Sequence, residues 1–290
     1  MGIKHIVIAG GGPTIFQLLG VFKILTKNNV IHLDEIESIY GTSAGAIIGF
    51  LLSLKFDWDT IYDFMIKRPW DDVFNFRIES FLEAYNNKGF FTKKTFERSF
   101  KSLFDAKNIP LNVTLKQYYE EHSNIELHFF TFDINTFNLV DVSYLTHPDI
   151  ELLTAIQMSC CLPILVCPVV LEDKCFIDGG IVCNYPLRYC MNDGKKEDEI
   201  FGIRTTSSQP HKKVNDDSNF IEYFLHFFLK LIRSMNKDGD NSHIENEIVL
   251  DTVPLSFESI KKCISDIKVR SQLVEKGENT ANKYIENKIK

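Results

Sequence analysis

Ser43 lies in the run Gly41-Thr42-Ser43-Ala44-Gly45, between a short apolar segment that reads as a strand and a longer one that reads as a helix. A Gly-x-Ser-x-Gly run in that setting is the pattern of a nucleophile elbow, in which a sharp turn lifts the hydroxyl clear of the backbone. Gly41 and Gly45 suit it because a β-carbon at either place would collide where strand and helix close on one another. A serine so raised needs a base. Asp178 is the candidate: it ends the strand-like Cys175-Phe176-Ile177 and precedes Gly179-Gly180, so its carboxylate is expected at a sheet end. An aspartate can take the proton directly if it is within hydrogen-bond reach and partly desolvated. Gly10-Gly11-Gly12, also between a strand and a helix, would expose backbone N–H groups to an oxyanion, with the N–H of Ala44 joining them. The chemistry these residues imply is acyl transfer from an ester through a Ser43–Asp178 dyad.

Other chemistries fit less well. The glycine run lacks the Gly-Lys-Ser/Thr ending of a P-loop, and Ile15 stands where a dinucleotide fingerprint needs glycine. His211, His226 and His243 follow Asp178 and could complete a triad on paper. His211 and His243 sit in polar stretches and His226 in an apolar helix, so none has the strand-end setting that would fix an imidazole. The seven cysteines have no zinc-site spacing, and no EF-hand pattern occurs. Neither a metal nor a cofactor is expected.

The elements around these residues come from hydrophobic patterning. Ile3 to Ala9 predicts a strand, Ile15 to Lys27 a helix, Asp34 to Tyr40 a second strand and Ala44 to Leu54 a buried helix. Two successive strand-turn-helix units favour an α/β fold with a largely parallel sheet. Helices are expected at Ile61 to Ile66, Ile78 to Tyr85, Thr95 to Leu103 and Asp149 to Met158. Strands are expected at Glu126 to Ile134, Leu139 to Tyr144, Val169 to Leu171, Cys175 to Ile177, Ile200 to Thr205 and Glu245 to Thr252. Residues 206–219 are polar and predict a mobile loop. Phe220 to Met235 is an apolar helix interrupted by Glu222, His226, Lys230 and Arg233, and shorter than the roughly 20 residues that span a bilayer. It suits packing against the domain, contact with a membrane surface or a dimer contact. Ile260 to Ile289 reads as one polar helix.

A net charge of −7 opposes binding to phosphate backbones, and there is no arginine-rich stripe, so nucleic acid is not an expected partner. The 24 phenylalanines leave a surplus that could face lipid. An odd cysteine count and a start that reads as a strand point to a reducing, cytoplasmic setting with peripheral membrane contact through residues 220–235.

Three blocks resemble the patatin-like phospholipases, whose catalytic domain is also similar to that of cytosolic phospholipase A2. AGGGPTIFQLLGVFKIL (Ala9 to Leu25) resembles the glycine-rich oxyanion segment, and IYGTSAGAIIG (Ile39 to Gly49) the nucleophile block. MSCCLPILVCPVVLEDKCFIDGGIVCNYPL (Met158 to Leu187) resembles the block that closes in Asp-Gly-Gly and Asn-x-Pro, with Ser159, Pro163, Pro168, Asp178, Asn184 and Pro186 in the matching places. The resemblance implies a three-layer α/β fold with a largely parallel central sheet flanked by helices. Residues 1–205 would form the catalytic core, and 220–290 a helical part packed on the same domain. It also implies hydrolysis of phospholipid or other acyl-ester lipids. An acyltransferase or small-ester esterase would share the dyad. Thr14 and Ile15 replace the cation and glycine common in the family, which keeps a catalytically weak lipid-binding protein as a further reading. The oligomeric state is left open.

Overall fold

The computed structural model describes residues 2–74, 79–206, 213–218, 220–235 and 243–289. Strand β1 (His5–Ile8) divides its side chains with the two-residue period of a strand. Ile6 and Ile8 enter the larger apolar core, and Val7 and Ala9 the smaller. The glycine run leads into α1 (Ile15–Lys27). Strand β2 (Ser38–Thr42) pairs parallel to β1 and turns at Ser43 into α2 (Ala44–Ser53), whose side chains are almost all buried. Next come α3 (Trp58–Tyr62), α4 (Glu79–Asn87), β3 (Gly89–Phe91), α5 (Lys93–Ala106) and α6 (Leu115–Tyr118). The chain returns to the sheet in β4 (Glu126–Asp133) and its hairpin partner β5 (Asn138–Val142), then continues through α7 (Leu152–Cys160) and β6 (Ile164–Val166). Strands β7 (Val169–Leu171) and β8 (Lys174–Asp178) precede α8 (Leu187–Asn192) and β9 (Ile200–Thr206). The last elements are α9 (Phe220–Met235), β10 (Glu247–Asp251), α10 (Phe257–Ser265) and α11 (Ile267–Ile289).

The sheet runs β10-β9-β1-β2-β4-β8-β7, with β5 also on β4. The pairs from β10 to β4 are parallel, whereas β4–β5, β4–β8 and β7–β8 are antiparallel. Residues 129–130 of β4 lie between β2 and β5, and residues 131–133 between β8 and β5. Strands β2 and β8 therefore share one edge of β4 and meet head to head. The first ends at Thr42 opposite Phe130, and the second, running the other way, at Asp178 opposite Thr131. This junction brings two strand ends together that lie far apart in sequence.

One face of the sheet is covered by the larger core, which includes apolar side chains of α1, α2, α5 and α7. The other is covered by the smaller core, to which α8 contributes Leu187 and Cys190. The flanked, mostly parallel sheet is the α/β architecture expected from the sequence. Helix α11 lies along α1 with backbone close to backbone. A β-carbon at Gly20 would fall 2.1 Å from the Val274 carbonyl oxygen, and one at Gly277 would fall 2.0 Å from that of Gln17.

The C-terminal segment is not wholly helical, because β10 is the outer strand of the main sheet. The single helix expected over Ile260 to Ile289 is two. Asp266 is extended, at φ −122° and ψ 109°, and its carboxylate accepts from the Lys268 amide at 2.8 Å, which ends α10 and caps α11. The parallel pair β3–β6 and helix α8 were not anticipated. Of the polar stretch 206–219, residues 207–212 and 219 lie outside the described residues. No helix among the described residues is long and apolar enough to cross a membrane.

Candidate active site

Ser43 adopts φ 54° and ψ −118°, a conformation that β-carbon sterics disfavour outside glycine. The turn is compact because Gly45 has no side chain: a β-carbon there would fall 2.3 Å from the Ile8 carbonyl oxygen. The start of α2 thus rests on the end of β1, where the glycine run begins. A β-carbon at Gly10 would fall 3.1 Å from Cβ of Ser43, so the glycine run and the serine are direct neighbours.

Across the strand junction, Asp178 is buried, and its carboxylate accepts from the Gly180 amide at 2.8 Å. Burial pushes its pKa up to about 6, while the Ser43 hydroxyl and the Gly180 amide pull the other way. Ser43 and Asp178 therefore stand at the two strand ends that meet on the edge of β4. Gly41 and Gly179 are also places of close backbone approach. Their β-carbons would meet the carbonyl oxygens of Gly45 at 2.7 Å and Phe130 at 2.3 Å.

The glycine run is braced at its first residue. The Gly10 amide donates to the Asn184 carbonyl at 3.1 Å, and the Gly10 carbonyl accepts from Asn184 Nδ2 at 3.2 Å and Thr205 Oγ1 at 3.0 Å. Gly10 therefore anchors the loop, and its amide is not open to a substrate. The amides of Gly11, Gly12 and Ala44 have no acceptor among the described residues. Gly12 has φ +51°. Thr14, at the position where the family commonly carries a cation, is buried, and its hydroxyl has no partner among the described residues.

Three contributors escaped the reading of the sequence. Ser159 and Asn184 fall in the block that resembles the family, but spacing alone assigns them no task. Thr205 is one of many strand residues and carries no signal. Of the three histidines weighed, His211 lies outside the described residues. His226 is half-buried on α9, and His243 Nδ1 is 3.0 Å from Glu247 Oε2. Among the described residues no imidazole bonds to Ser43 or Asp178.

One cluster among the described residues, His128, Asp141 and Asp193, brings three ligand-capable atoms within 4.8 Å of one another. His128 Nδ1 lies 2.8 Å from Asp141 Oδ2, and Tyr40 donates to Asp193 at 2.7 Å. Burial opposes charge on the imidazole, but Asp141 and Glu126 outweigh it and raise its pKa to about 9. The cluster is a buried ion-pair network, in which His128 Nε2 and Asp141 Oδ1 have no hydrogen-bond partner among the described residues.

Residues 6–191 match the family described as patatin-like phospholipase. The chain belongs to that family, and it is a hydrolase of the lipid-degrading kind that the family defines. It is 26% identical to the "Probable lipid hydrolase 463L" of Invertebrate iridescent virus 6, over 73% of each chain. It is 24% identical to "Uncharacterized protein R571" of Acanthamoeba polyphaga mimivirus, over 98% of this chain and 94% of the other. Among solved structures, VipD from Legionella pneumophila superposes with a TM-score of 0.54 at 16% identity, covering 95% of this chain and 67% of that one. This last likeness is one of fold.

Proposed function

We propose that this chain is a phospholipase A-type acyl hydrolase that works through Ser43 and Asp178 without a histidine. The observation that carries the reading is that Ser43, in a strained strand-to-helix turn, and the buried Asp178 stand on two strand ends that meet on the edge of β4. As Ser43 Oγ attacks the ester carbonyl, its proton passes to Asp178. The carbonyl oxygen becomes an oxyanion held by the amides of Gly11, Gly12 and Ala44 at the positive end of α2. Collapse breaks the ester bond and releases the lysolipid alcohol, which takes up the proton. Water then attacks the acyl-serine, giving its proton to Asp178 and returning Ser43 as the fatty acid leaves.

Contact with a lipid surface through residues 220–235 is part of the same reading. Phe220, Tyr223, Phe224, Phe227 and Leu231 follow helical spacing on one side of α9 and are 40–74% exposed. Helix α9 packs beside the Gly179–Ile181 turn that follows Asp178, so an apolar stripe lies close to the candidate base. Fatty acid released from mixed phospholipid vesicles tests the proposal, with Ser43→Ala and Asp178→Asn run in parallel. Loss of the same products in both variants, with fluorophosphonate labelling confined to Ser43, is expected. Retention of most activity in Asp178→Asn would overturn the dyad.

A further inference from the structure

The strand junction leaves a mechanical problem. Ser43 sits in a conformation that relaxes readily, at the end of one strand, and Asp178 ends another. The two are linked by no continuous backbone, only by the edge of β4. A third element crosses the gap. The last turn of α7 and the residue after it touch both sides through consecutive residues.

Ser159 Oγ accepts from the Ser43 amide at 3.0 Å and donates to the Phe130 carbonyl at 2.7 Å. Cys160 Sγ donates to the Ser43 carbonyl at 3.4 Å. The Cys161 carbonyl accepts from the Asp178 amide at 3.0 Å. Thr131, opposite Asp178 on β4, donates from Oγ1 to the Met158 carbonyl at 2.9 Å and to the Ile177 carbonyl at 2.8 Å. Both peptide groups that flank the Ser43 α-carbon are therefore held by α7, and the same end of the helix holds the backbone of Asp178. Ser159 is fully buried, so no water competes for its hydroxyl.

We infer that Ser159 is a positioning residue, which holds Ser43 in its strained turn and, with Cys160 and Cys161, fixes the gap between Ser43 and Asp178. The inference rests on the dyad reading for its catalytic consequence, but the clamp is a property of the backbone and can be measured without turnover. A misplacement of reacting groups by about 1 Å can lower a rate about 100-fold, so a clamp on Ser43 is expected to act on turnover more than on substrate binding.

The test uses the full-length protein and variants Ser159→Ala and Ser159→Thr, the latter keeping the hydroxyl. Residue-resolved hydrogen exchange at the Ser43 amide reads the clamp, and fatty-acid release from phosphatidylcholine vesicles reads its effect. Ser159→Ala should speed exchange at Ser43 by about tenfold or more. It should lower kcat by about 10–100-fold with KM nearly unchanged, and Ser159→Thr should restore both. Unchanged exchange at Ser43 in Ser159→Ala would overturn the clamp. Unchanged kcat beside faster exchange would overturn its role in positioning. If the wild-type protein releases no fatty acid while Ser43 exchange still responds to Ser159→Ala, the hydrolase reading fails and the clamp stands. Should Ser159→Ala melt below the assay temperature, Ser159→Cys, with its poorer acceptor, takes its place under the same criteria.

Discussion

Two buried charge sites lie along strand β4, one on the strand itself and one on β8 beside it, and they are solved in opposite ways. Near its start, His128 stacks on Tyr40 with ring centroids 4.0 Å apart. Its charge is matched by Asp141 and Glu126, and Lys195 lies 3.1 Å from Glu126. Near its end, Asp178 accepts from the Gly180 amide and has no ion-pair partner among the described residues, and burial pushes its pKa up to about 6. Desolvation acts on both. At His128 it is outweighed by opposite charges, and at Asp178 it is left standing. The difference separates a network that stabilises structure from a carboxylate left hungry for a proton, the property a general base requires.

Four experiments can break or sharpen that contrast. The largest effect should be on turnover: Asp178→Asn is expected to lower kcat by about 1,000-fold or more, whereas His128→Gln should leave kcat near the wild-type value. Equal losses in the two variants would dissolve the distinction. Second, Asp141→Ala strands the buried His128 charge and should destabilise the protein by about 3 kcal/mol in urea unfolding. A smaller, opposite change is expected at the other site. The folded pKa of Asp178 lies above its unfolded value of 3.8, so keeping it ionised works against folding. Any help that protonation gives the fold is present in full below pH 3.8 and is lost as pH rises through about 6. Asp178→Asn should therefore be more stable than wild type at pH 8 by on the order of 1–3 kcal/mol, with the advantage gone near pH 4. An equal or lower melting point at pH 8 would contradict this.

The last contrast is in pH dependence. The acid limb of kcat/KM should have its midpoint near 6, where burial places the Asp178 pKa. The contribution of His128 to stability has the same sign as that of Asp178 in a higher window: its pKa is raised from 6.5 to about 9, so its stabilisation is complete below pH 6.5 and is lost as pH rises through 9. Thermal melts across that range, compared between wild type and His128→Gln, isolate it.

Much of this was legible beforehand where local patterning decides the outcome. The boundaries expected for α1 match those observed, and Ser43 and Asp178 stood out because each sits between a strand-like run and glycine. What escaped was decided by distant pairing. Nothing near Asp178 foretells that β8 will abut β2 on the edge of β4, because that depends on register set by the whole sheet. The occupation of the Gly10 amide by Asn184 spans 174 positions and involves a backbone carbonyl, which no residue type can signal. The break at Asp266 was hidden because apolar residues keep a helical spacing on both sides of it, from Ile260 and Ile264 to Ile267 and Val274, although aspartate is a favoured cap residue.

The crossing of α1 and α11 has a consequence for when the molecule can first act. Helix α1 springs directly from the glycine run, and its seat is a helix made long after it. A nascent chain halted before residue 267 would carry the serine and the aspartate yet lack the buttress beneath the loop that faces them. Competence is thus deferred until residues 267–289 have been made. A chain truncated at residue 266 should accordingly label more slowly with a fluorophosphonate than the full-length protein, and equal labelling would show that the buttress is dispensable.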